Sequence, residues 1–133
     1  MSDVRGADAF RSARDQLLAL RTDAERASRE FEWPDVGDTF NWALDYFDPM
    51  AKDNHAPALW VVEEDGSEEQ ISFADMAARS CQVAEYLRLC GVNRGDRVLL
   101  MLPNRVELWE IMLAGIKLGA VLVPTTMLVS GAD

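Results

Sequence analysis

Two hydroxyls, Thr125 and Thr126, directly follow an apolar run that closes at Pro124. The carboxyl ends of parallel strands are where open α/β folds collect ligands. The pair is therefore placed to contact a polar ligand, or to cap and turn the chain. Pro103-Asn104 ends an earlier apolar run in the same way. Arg94, Arg97 and Arg105 lie near the ends of that run; together they would attract an anion, or make a tight turn with local ion pairs. The pairs Glu63-Glu64 and Glu68-Glu69 flank Asp65-Gly66. Paired carboxylates can do acid–base work, but neighbours on a strand point to opposite faces, so a solvated hairpin tip is expected. His55, the one histidine, sits in a polar loop with no nucleophile tied to it. With no Cys-x-x-Cys and no second histidine, no zinc site is expected. Neither a Gly-x-Gly-x-x-Gly fingerprint nor a Gly-x-x-x-x-Gly-Lys phosphate loop is present.

Positioning these groups requires a series of short elements. Residues 7–30 predict a single helix, with Phe10, Ala13, Leu17 and Leu20 on one face. Trp33-Pro34 breaks it. Six aromatics follow within residues 31–50: Phe31, Trp33, Phe40, Trp42, Tyr46 and Phe47. They read as an arm pinned onto a larger body, with a ligand box as the alternative. Phe40 to Phe47 predicts a short helix capped by Asp38 or Thr39 and ended by Asp48-Pro49. Residues 57–63 and 68–73 predict a hairpin around Asp65-Gly66. Ser72 with Asp75 opens a helix whose buried stripe is Phe73, Met76, Ala77, Ser80, Cys81, Ala84 and Leu87, and Gly91 stops it. Residues 97–102 hold a continuous apolar run after Arg97, which predicts a strand covered on both faces. Asn104, with Glu107 as box partner, is expected to cap the next helix, which buries Val106, Trp109, Met112, Leu113 and Ile116 and stops at Gly119. Residues 120–123 make the second strand of a βαβ unit.

Composition narrows the partners. Thirteen Lys and Arg against 23 Asp and Glu leave a net charge of −10 over 133 residues, which argues against nucleic acid and anionic membrane. No apolar stretch reaches the length of a transmembrane segment, and the start lacks a signal-peptide core. Cys81 and Cys90 would stand about half a turn apart around one helix; two reduced thiols fit a cytoplasmic protein.

The stretch from Ile71 onward resembles the N-terminal part of the adenylate-forming, AMP-dependent synthetase and ligase superfamily. The resemblance rests on Ser72-Phe73, Ala84, Leu87, Gly91-Val92, Gly95-Asp96-Arg97-Val98, Leu102-Pro103-Asn104, Glu107, Leu113-Ala114, Lys117-x-Gly119-Ala120-Val121 and Val123-Pro124. Phe40-Asn41-Trp42-Ala43, Ala58-Leu59-Trp60 and Pro124-Thr125-Thr126-Met127-Leu128 are similar to acyl-CoA synthetases of the medium-chain and acetyl-CoA-synthetase-like kind. The resemblance implies an α/β fold: residues 1–50 a helical and aromatic arm, residues 51–133 the start of the AMP-binding domain. It also implies ATP, Mg2+ and CoA as cofactors and a carboxylic acid, such as a fatty acid, as substrate. The family's phosphate loop, adenine and ribose contacts and catalytic lysine fall downstream of residue 133, so no catalytic or metal-binding residue carries over. Thr125, Thr126 and Leu128 are implied as contacts near the CoA and acyl tunnel. Such a piece alone is expected to be inactive, and its open strand edges predict self-association as a homo-oligomer. A non-catalytic remnant and a small protein-binding α/β module are the alternatives.

Overall fold

The computed structural model describes residues 4–128; the final residues of the resemblance, through Asp133, lie outside them. Helix α1 (Val4–Ala19) and helix α2 (Ala24–Glu30) replace the single helix expected over residues 7–30. The break is local: the Asp23 carboxylate accepts a hydrogen bond from the Arg26 backbone N–H and starts a new helix there. An N-cap satisfies donors that a continuous helix would have bonded to the preceding turn.

A π-helical turn (Trp42–Phe47) runs into the short helix α3 (Asp48–Ala51). Neither Asp38 nor Thr39 caps the turn. Asn41 does, accepting from the N–H groups of Ala43 and Leu44. Asp48-Pro49 does not end the helical path. Proline sits in the first turn of α3, where a missing N–H costs nothing.

Strands β1 (Pro57–Val62) and β2 (Glu68–Ser72) form the expected antiparallel hairpin. Gly66 takes φ +83° at its tip, a conformation glycine adopts freely. Asp65 accepts from both the hydroxyl and the N–H of Ser67, at 2.7 and 2.9 Å, and these bonds hold its carboxyl below the usual range. A depressed folded-state pKa means the tip gains stability above the unfolded value and loses it as pH falls through the folded one. In a carbon-detected NMR titration, Asp65 is expected to titrate below an ordinary aspartate, and Ser67→Ala should move its midpoint up.

Helix α4 (Phe73–Leu89) begins as expected: the Ser72 hydroxyl accepts from the Asp75 N–H. Gly91 follows its end with φ +94°. Strands β3 (Arg97–Leu100) and β4 (Val121–Pro124) pair in parallel around helix α5 (Val106–Leu118), which closes at left-handed Gly119. The cap of α5 is Arg105 rather than Asn104, and no side chain bonds into it. A bend with the Arg105 N–H donating to the Pro103 carbonyl displaces the start by one residue.

The core gathers Ala43, Phe47, Ala51, Met76 and Leu113, so the 40–51 segment is central to it. Phe10 stacks on Phe40 and meets Tyr46 edge-on, and Phe47 reaches Phe73. Phe40 to Phe47 thus work as a pin, whereas Trp33 is 87% exposed and meets Phe31 edge-on. One expectation fails in the parallel pair: β3–β4 is covered on one face only. Leu100 is buried, but Leu99 is 66% exposed, and Val121 and Val123 also face outward. Among the described residues no element packs on that side. Trp109, expected in the buried stripe of α5, is also exposed, at the mouth of an apolar hollow beside Phe73 and Met112.

Candidate functional site

The parallel pair brings the two sequence-predicted strand ends together. The Thr125 N–H donates to the Leu100 carbonyl, which continues the ladder one step past Pro124. Thr125 is half-buried, whereas Thr126 is exposed and its hydroxyl accepts from the Leu128 N–H at 3.2 Å. That bond makes a local turn of the segment. Leu128 is 88% exposed, so no tunnel wall packs on it here. On the other strand end, Pro103, Asn104 and Arg105 face the hairpin tip residues Glu63, Glu64 and Asp65 across a shallow depression.

The arginines are not brought together as an anion site. Arg94 packs beneath Gly119 at the amino end of the pair, whereas Arg105 lies at the opposite end, 4.0 Å from Glu107. The turn before β3 is held by Asp96 accepting from the Asn93 N–H rather than by arginine pairs. His55 is exposed, and Glu68 is occupied by the Trp60 indole N–H at 3.1 Å.

The chemically unusual groups lie elsewhere. Lys117 is buried, its side chain 3% exposed, with its ammonium 2.8 Å from the Asp48 carboxylate. The same ammonium donates to the Ala77 carbonyl at 3.2 Å and to Cys81 Sγ at 3.1 Å. The Asp48 oxygen is off hydrogen-bond alignment, so charge attraction carries this contact. Buried Glu110 takes an ion pair from Arg79 at 3.1 Å, joining α5 to α4. Buried Asp45 accepts from the Asn41 N–H, while the Asn41 side chain donates to the Ile116 carbonyl at 2.7 Å. The arm, α4 and α5 are therefore cross-tied by polar contacts inside the core. Residue pattern contains the missed signal: Val106, Glu110, Leu113 and Lys117 share one helical face, and two of the four are charged. Asn41→Ala removes the cap and the tie to α5 together. The expected cost is about 1 kcal/mol, measured as a lower urea midpoint.

Cys81 was expected inside the buried stripe of α4. It is exposed at its outer edge, and both thiols are free. Cys90 lies against the Tyr86 phenol, whose pKa it raises. No helix among the described residues is long and apolar enough to cross a membrane, and none of their His, Cys, Asp and Glu side chains group in a way that could hold a metal ion.

Comparison with known proteins gives this framework its identity. Residues 48–132 match the family described as AMP-binding enzyme. The human mitochondrial acyl-coenzyme A synthetase ACSM2B is 37% identical over 101 residues, covering 71% of this chain and 18% of that protein. Human ACSM1 is 30% identical over 108 residues, covering 78% of this chain and 19% of its own. A benzoate CoA ligase from Burkholderia xenovorans LB400 superposes with a TM-score of 0.59 at 26% identity, over 71% of this chain and 18% of the ligase. The chain thus spans about a fifth of the length of these relatives. With more than half of its residues matched, and with the βαβ unit and hairpin in the places the residue pattern predicted, the chain belongs to the AMP-binding, adenylate-forming enzyme family.

Proposed function

We propose that this chain forms the N-terminal part of an AMP-forming acyl-CoA synthetase. In that reaction a carboxylate attacks the α-phosphate of ATP, the bond to pyrophosphate breaks, and acyl-AMP forms. The thiol of CoA then attacks the acyl carbon, and AMP leaves. The observation that carries the reading is the family match over residues 48–132, supported by the identity to human acyl-CoA synthetases. Residues 1–50 then serve as the arm, and 51–133 open the AMP-binding domain. Thr125, Thr126 and Leu128 supply contacts near the CoA and acyl path. Among the described residues no side-chain cluster suits Mg2+, so no step through the metal is assigned to them.

A fatty or aromatic carboxylic acid is the substrate class; benzoate and acyl-CoA ligases among the relatives support it. Two free thiols support a reducing compartment such as the cytoplasm, whereas the human relatives are named as mitochondrial; cell fractionation decides between them.

The test is the mass of the native polypeptide, followed by carboxylate-dependent ATP–pyrophosphate exchange. A species several times 14.8 kDa that exchanges pyrophosphate only with an added acid is the expected result. The 133-residue chain by itself is expected to show no exchange. A native species at 14.8 kDa would overturn the reading and leave a remnant or a binding module. For the module, the apolar cleft of about 570 Å3 between α1 and Trp33 is the surface that would do the binding.

A further inference from the structure

We propose that Cys81 and Lys117 form an oxidation-driven covalent bridge between α4 and α5. Three groups meet at this point. Cys81 is exposed, so a small oxidant reaches its sulfur from solvent. Lys117 Nζ lies 3.1 Å from that sulfur on the protein side. Asp48 Oδ1 lies 2.8 Å from the same nitrogen, with its lone pairs outside hydrogen-bond alignment. The lysine is held in place beside the sulfur. The lysine stem is almost wholly buried, and its head is tied to the Ala77 carbonyl, one turn before Cys81 on the same helix.

The chemistry balances with a peroxide as the named oxidant. Hydrogen peroxide takes the thiol to sulfenic acid, a two-electron oxidation of sulfur that releases one water. Sulfenic acids condense with backbone nitrogen to give sulfenamides, and a lysine amine offers sulfur a more basic lone pair. Here Lys117 first passes a proton to the Asp48 carboxylate beside it, and its freed amine lone pair then attacks sulfur; the S–O bond breaks and an N–S bond forms. The ammonium gives up two protons. One leaves with the departing hydroxide as water, and the other passes to the Asp48 carboxylate. Asp48 is thereby neutralised as the lysine loses its charge, so no unpaired charge is left in the core. The bridge is reversible by thiols, as the sulfur remains at the disulfide level of oxidation.

Cys90 supplies an internal control. It is also free and exposed, but its neighbour is the Tyr86 phenol, and no amine is placed against it in the contacts of the described residues. Peroxide there gives a sulfenic acid that persists until trapped. The inference stands on the geometry of α4, α5 and α3 and does not depend on the ligase reading.

The full chain, reduced and freed of thiol, is treated with hydrogen peroxide, digested and sequenced by mass spectrometry. The expected product is a linked peptide joining Cys81 to Lys117, about 2 Da lighter than its two reduced parts and released by dithiothreitol. Cys90→Ser retains it, and Cys81→Ser abolishes it with little effect on folding, since the residue is exposed. Lys117→Arg keeps a positive charge but has no amine to condense; dimedone then traps Cys81 as the sulfenic acid, unlinked. Asp48→Asn slows bridge formation by about a hundredfold, the scale of a lost general base. The proposal is overturned if wild-type Cys81 is trapped by dimedone as fully as Cys90 and no linked peptide forms. It is equally overturned if the linked peptide persists in Cys81→Ser.

Discussion

Replacing Lys117 with methionine is expected to lower the unfolding free energy by about 3 kcal/mol, because it strands a mostly buried carboxylate without its cation. Asp48 lies 2.8 Å from the ammonium, with its side chain 24% exposed. Methionine fills nearly the same volume, so little of the loss comes from a cavity. The Ala77 carbonyl also loses a donor. Adding Asp48→Asn should return most of the loss, since two neutral groups have no charge to leave uncompensated. Urea unfolding at constant slope is the measurement. Equal losses in the single and double variants would show that packing, and not charge, sets the cost.

Gly115→Val is expected to cost about 3 kcal/mol, the upper end of overpacking. A Cβ at this position would lie 2.5 Å from Leu122 Cδ2 and 2.9 Å from its Cγ. The Cγ distance matters more. A terminal methyl swings aside by a rotamer change, but moving Cγ shifts the whole side chain or lifts α5 from β4. Replacing glycine with valine within a helix should gain only about 0.3 kcal/mol in helix propensity, which does not offset the clash. Leu122→Ala should become less harmful when Gly115→Val is already present, the sign of direct coupling in a double-mutant cycle. Additive losses would place the strain elsewhere.

Features governed by neighbouring residues are legible in the sequence. Ser72 with Asp75, the glycines at 91 and 119 and the Asp65-Gly66 tip each act within a few residues, and all appear where the pattern put them. The cap assignments that failed had more than one local candidate. Asp38, Thr39 and Asn41 can all cap a helix. Asn41 has the role because its amide also reaches the Ile116 carbonyl, 75 residues away. Asn104 is chemically a better cap than Arg105, yet a backbone bend at Pro103 sets the start of α5. The break at Asp23 was local and readable, but a continuous apolar stripe through Leu20 concealed it.

By itself, the sequence determined the order and type of the elements from β1 onward, the pairing of the hairpin, and the family. These follow from side-chain periodicity, turn chemistry and motif spacing, all of which are written along the chain. Only the tertiary structure decided that Lys117, Asp48 and Cys81 meet, that Asn41 ties the arm to α5, and that Arg94 and Arg105 stand apart. Burial and long-range charge pairing depend on which helix faces pack together. A lysine on an apolar stripe has no visible partner until α3 and α4 close over it.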